Sequence, residues 1–167
     1  SRRGTDWERE TSVEIIYPDG RPGIQVNAGL RIQGAFSRTH AKKNGLRLVF
    51  KEEFGPTELE FPLYGADRVD RFNTLVLRAG FNDSWYSNIG PAEAQYTRDE
   101  YNLAVQRTMG HETIQSSFMH VYLNGIYWGV YNVVERPDAA FAAEHFGGQP
   151  EDWDSINHNG VEDGDDV

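Results

Sequence analysis

The chain has 167 residues, enough for one domain with a core of its own. Its formal net charge is -10, with 26 Asp and Glu against 16 Lys and Arg, which argues against general binding to nucleic-acid phosphates. It has 0 Cys, so disulfides and thiolate metal sites are excluded, and no apolar run approaches membrane-spanning length.

The predicted elements begin with a strand over Ser12 to Tyr17, ended by Pro18-Asp19-Gly20. A second strand runs from Ile24 to Phe36 and closes on a glycine-marked loop. Leu46 to Lys51 alternates Leu46, Leu48 and Phe50 inward with Arg47, Val49 and Lys51 outward, the pattern of a half-buried strand. Thr74 to Arg78 is a further strand, followed by a loop rich in Gly, Asn, Asp and Ser from Ala79 to Pro91. Thr97 to Met109 is the strongest helix. Tyr101, Ala104, Val105 and Met109 form one stripe, Thr97 with Glu100 offers a capping box, and Gly110 stands where a helix C-terminus belongs.

Phe118 to Glu135 then reads as a hairpin around Asn124-Gly125, a pair suited to a turn with positive φ at both central residues. Met119, Val121 and Leu123 alternate with His120 and Tyr122, so one face should be buried. Pro137 or Asp138 starts a second helix, Ala139 to Phe146, closed by Gly147-Gly148. The order of strands, helix, hairpin and helix predicts an α+β fold, an antiparallel sheet with one main packed helix.

Several stretches taken together resemble the amino-terminal part of the spore coat protein H (CotH) kinase family. They are Gly29 to Arg38, Lys43 to Lys51, Leu75 to Asp83, Arg98-Asp99 opening a helix that ends in Met109-Gly110, the hairpin Tyr122 to Tyr131, and Glu135. The resemblance covers nearly the whole chain. It implies a kinase-like amino lobe over 1–134 and, over 135–167, an interlobe link, a helix and an acidic tail opening a second lobe. It also implies ATP and magnesium as cofactors, protein Ser or Thr hydroxyls as acceptors, and a secreted or cell-surface bacterial protein. The family's catalytic and metal-binding aspartates lie in its carboxy-terminal lobe, which the resemblance implies this chain ends before, so the chain is expected to be a fragment of such a kinase, inactive alone. Where the family often has Gly-Asn-Ser-Ser in its first loop, this chain has Gly34-Ala35-Phe36-Ser37.

Phosphoryl transfer needs backbone N–H groups near phosphates, fixed cations and carboxylates. Gly34, Ser37 and Arg38 can supply the first loop, because glycine permits close backbone approach. Lys43, Arg47 and Lys51 crowd one region, and any of them could meet a phosphate; Lys43 matches the family's lysine before this strand. A cation at the start of a helix opposes the helix dipole, so Arg98 is a candidate for the cleft. Asp99 or Glu100 could be the helix acid that pairs with a strand cation. Asn82-Asp83-Ser84-Trp85 could reach the site from its loop. Glu135 opens the link expected to hold the nucleotide base.

A different reading is a non-enzymatic surface module that binds glycan or a partner protein through Trp7, Trp85, Tyr86, Tyr127 and Trp128. In the tail, Asp152, Asp154, Asn157, Asn159, Glu162, Asp163, Asp165 and Asp166 are oxygen-rich but miss the calcium-loop spacing, so a frayed acidic terminus is expected.

Overall fold

The structure is a computed structural model that describes residues 4–85, 91–157 and 160–163. In chain order its elements are β1 (Arg9–Ile15), β2 (Ile24–Gln33), the single turn α1 (Ser37–His40), β3 (Gly45–Val49), β4 (Leu59–Glu60), β5 (Arg71–Phe72) and β6 (Thr74–Arg78). There follow α2 (Arg98–Thr108), β7 (Ser116–Leu123), β8 (Ile126–Glu135), α3 (Ala139–Phe146), β9 (Ser155–Asn157) and β10 (Gly160–Asp163). This is an α+β fold around one curled antiparallel sheet of six strands, ordered β1-β2-β3-β6-β8-β7. β4 with β5, and β9 with β10, form two small ribbons.

Alternation decides what each sheet face carries. Leu46 and Leu48 of β3, Leu75 and Leu77 of β6, and Tyr131 and Val133 of β8 point to one side. Phe50, Leu59, Leu63 and Phe72 from the β3–β6 connection cover that side and close the core. The opposite face is open and bears the residues between those positions.

Local turn chemistry behaves as the sequence predicts. Asn124 has φ 51° and Gly125 φ 78°, so both central residues of the β7–β8 turn occupy the left-handed region. Gly125→Ala is therefore expected to destabilise by about 1 kcal/mol, read as a lower urea midpoint with unchanged slope. The Asp138 side chain accepts from the Phe141 N–H at 3.1 Å and caps α3. Gly110, with φ 86°, ends α2 with paired bonds from Gly110 to Arg107 and from His111 to Gln106.

Three expectations are corrected. The β2 strand stops at Gln33, because Gly34 turns the chain with φ 117° and Phe36 opens the α1 turn. The expected capping box of α2 does not form: Thr97 Oγ1 donates to the Gln95 carbonyl at 3.4 Å, and Glu100 is engaged by the sheet. The expected apolar stripe of α2 faces solvent, with Tyr101 70% and Met109 68% exposed. The helix instead turns Asp99, Glu100, Leu103 and Arg107 inward, a spacing of one face. Polar partners on the strands outweigh the apolar stripe, because buried donors left unmet cost more than exposed apolar surface.

Candidate functional site

Cross-strand register lays two rows of side chains over the open face. One row runs Arg31, Arg47, Val76, Val134 and Ser116, and the next runs Gln33, Gly45, Arg78, Asn132 and Phe118. Over these rows lies a cleft of about 680 Å³, walled by the loop after β2, the loop after β6, the start of α2 and the end of β8. Val76 and Val134 make its apolar floor, and Gly45, with no side chain, deepens it.

The helix is tied to this floor by polar contacts. Asp99 Oδ2 lies 2.7 Å from the Arg78 guanidinium. Glu100 Oε1 accepts from the Ser116 hydroxyl and from Asn132 Nδ2, the latter at 3.1 Å. Arg98 lies 3.6 Å from Asp83 and donates to the Glu93 carbonyl at 3.2 Å, so Asp83 offsets the cation at the helix start. Asp83 also accepts from the Gln95 N–H at 2.9 Å and pins the loop before α2. Tyr96, whose hydroxyl donates to the Val130 carbonyl at 2.8 Å, packs between Trp85 and Phe118 at the cleft edge.

Of the residues singled out for the site in the sequence, Gly34, Ser37, Asn82, Asp83, Arg98, Asp99 and Glu135 line this one cleft. A Cβ at Gly34 would collide with Ser37 Oγ, so only glycine permits this approach of loop and side chain. Arg38 is not a lining residue: its guanidinium donates to the Gly34 and Ile32 carbonyls and braces the loop from behind. Lys43 is not a lining residue either. Its ammonium donates to the Val130 carbonyl and lies 3.9 Å from the centre of the Tyr131 ring, and burial holds its pKa below the usual lysine value. The acid question resolves by contact: Asp99 pairs with Arg78, and Glu100 holds β7 and β8. Glu135 lines the cleft at the end of β8, but its carboxylate turns toward Gln115 and His145.

Arg78, Asn132 and Arg136 were not foreseen as lining residues. A signal existed for two of them. Alternation from Leu75 and Leu77 sends Arg78 to the other face, and Asn132 is a polar interruption in an otherwise apolar strand.

Two buried acceptors of the cleft, Asp83 Oδ2 and Asn132 Oδ1, have no hydrogen-bond partner among the described residues. A ligand bearing N–H or O–H donors would satisfy them. Among the described residues, no group of three or more His, Cys, Asp or Glu could hold a metal ion.

The aromatic residues of the surface-module reading have different neighbours. Trp7 lies beside Arg9, Trp85 leans on Tyr96, and Tyr127 packs at a tilt against Tyr122 and His120 near the hairpin turn. Trp128 is half exposed. Tyr86 lies outside the described residues, as do Asn159, Asp165 and Asp166 of the tail. No helix among the described residues is long and apolar enough to cross a membrane.

A family model described as CotH kinase protein matches residues 30–165. No curated protein matches the chain.

Proposed function

The chain belongs to the CotH kinase protein family, and from that premise we propose that its cleft holds the nucleotide of a phosphoryl-transfer reaction. In this reading the six-stranded sheet is a kinase-like amino lobe, and the residues after Glu135 lead into a second lobe. The donor is ATP, the acceptor is a Ser or Thr hydroxyl of a protein, and the parent is a secreted or surface protein of a bacterium.

The observation that carries the reading is the composition of the cleft. Val76, Val134 and Ile114 offer an apolar bed for a base, while Arg78, Arg98 and Arg136 offer cations for phosphates. The two unpartnered acceptors, Asp83 Oδ2 and Asn132 Oδ1, suit the amino and hydroxyl donors of a nucleoside. Gly34 lets the loop backbone approach a phosphate closely. The Arg78–Asp99 pair performs the strand-to-helix linkage that a kinase lobe needs, with an arginine as the cation. Magnesium fits less well: the described residues build no metal site of their own.

An NMR titration of the isotope-labelled chain with ADP and magnesium tests this. Shifts gathered at Gly34, Ser37, Val76, Arg98 and Glu135 are expected. Shifts at Trp85, Tyr127 or Trp128 with a glycan panel, and none with nucleotide, would replace the reading with a surface binding module.

A further inference from the structure

The six-stranded sheet ends in two open strands, β1 and β7, and each leaves its outer side without a strand partner among the described residues. An open edge invites another strand, and proteins that stay single blunt it with charge or proline. β1 is blunted in this way, with Arg9, Glu10 and Glu14 among its 7 residues. β7 is not. Its 8 residues, Ser116–Leu123, include no Asp, Glu, Lys, Arg, Pro or Gly, in a chain of which 25% is charged. No like charges would meet along this edge, although each copy of the chain carries a net charge of -10.

The side chains of β7 are sorted by face. Met119, Val121 and Leu123 pack against the core, while Phe118, His120 and Tyr122 stand exposed on the open face. Across the hairpin, the Tyr127 ring meets those of His120 and Tyr122 at tilts of 40° and 51°. Tilted rings make ridges, not the flat platform on which a sugar stacks, and ridges suit the side chains of another polypeptide. A two-fold axis through His120, perpendicular to the sheet, makes the strand its own complement. It sets Phe118 opposite Tyr122 of the second copy on the open face, and Met119 opposite Val121 of the second copy on the core face. An axis falling between two residues would set open-face side chains against core-face ones.

We propose that β7 is the edge through which this chain pairs with a second copy of itself. The two β7 strands run antiparallel with His120 on the two-fold axis, and the two sheets become one. Phe118 also lines the cleft, so Tyr122 of the second copy stands beside that wall and each copy extends the cleft of the other. This pairing is independent of what the cleft binds.

Sedimentation equilibrium over a range of chain concentrations tests this, at about 0.15 M salt to screen the repulsion between acidic copies. Wild type should move from the 19.0 kDa of a single chain toward twice that mass. His120→Lys sets two fixed like charges opposite each other and should weaken the pairing by roughly tenfold or more. Ser12→Lys, which adds a charge to the exposed side of β1, should leave it unchanged. The chain has 0 Cys, so single cysteines report the register. Under mild oxidation His120→Cys should link two copies through a disulfide, because the axis brings the two thiols face to face, and Ser12→Cys should not. A wild type that stays at 19.0 kDa at every concentration would overturn the proposal. So would a dimer that His120→Lys leaves intact, or that Ser12→Lys weakens equally, or cross-linking no better at His120→Cys than at Ser12→Cys. A single chain whose Tyr122 and Tyr127 signals shift with a glycan panel would give the edge to a glycan instead.

Discussion

Glu135→Ala is expected to destabilise the chain by about 3–5 kcal/mol, the cost of breaking a buried charged network from one side. The Glu135 residue is 4% exposed. Its carboxylate accepts from the Gln115 backbone N–H, from Gln115 Nε2 at 3.3 Å and from His145 Nε2 at 3.1 Å. Alanine leaves those donors buried without an acceptor. Glutamine keeps one acceptor oxygen and should lose less. Urea denaturation followed by tryptophan fluorescence measures both, and a loss below about 1 kcal/mol for the alanine variant would refute the network as an anchor.

The same contact predicts a pH dependence. The hydrogen bond to Glu135, opposed by burial and aided by Glu112 at 3.5 Å, holds the His145 pKa above its usual value. A group whose folded pKa exceeds its unfolded value of about 6.5 stabilises fully below that value. Its contribution fades as pH rises through the higher folded value. Wild-type stability should therefore fall on raising pH above about 6.5 through that window, and His145→Gln should lack this component. Because Glu135 precedes Arg136, this network also fixes where that cleft cation stands.

Tyr131→Ala is expected to cost a similar amount, about 3–5 kcal/mol, through the cavity left by a large side chain. Tyr131 is 0% exposed at the middle of β8, and its hydroxyl donates to the Asn44 carbonyl at 3.0 Å. Burial pushes the phenol pKa up to about 12, so the hydroxyl stays a donor at neutral pH. Tyr131→Phe keeps the ring and should cost only about 1 kcal/mol for the lost hydrogen bond. The ring also lies against Lys43, so the alanine variant should move that lysine and the β2–β3 connection while the phenylalanine variant leaves them in place. Equal losses in the two variants, measured by denaturation, would assign the effect to the hydroxyl and refute the packing account.

How much of this was legible in the sequence depends on the range of the interaction. The strand alternation of β3 and β7, the Asn124-Gly125 turn, the start of α3 at Pro137 or Asp138 and the Gly110 end of α2 were all readable. Each is decided by φ preferences or hydrogen bonds within a few residues. The α+β class followed. The placing of Gly34, Ser37, Arg98, Asp99 and Glu135 along one cleft could be anticipated chiefly from the family resemblance, and that of Asn82 and Asp83 only from their place in a polar loop.

The tertiary structure alone decided which face of α2 turns inward. Arg78, Ser116 and Asn132 come from three strands, and only sheet register brings them under Asp99 and Glu100. Register also separated the cations. Lys43 precedes its strand and follows the connection to the Tyr131 ring, while Arg47 sits within the strand and is held to the open face by the buried leucines around it. Spacing along the chain fixes the side of a strand, but the charges that meet there come from residues far apart in sequence.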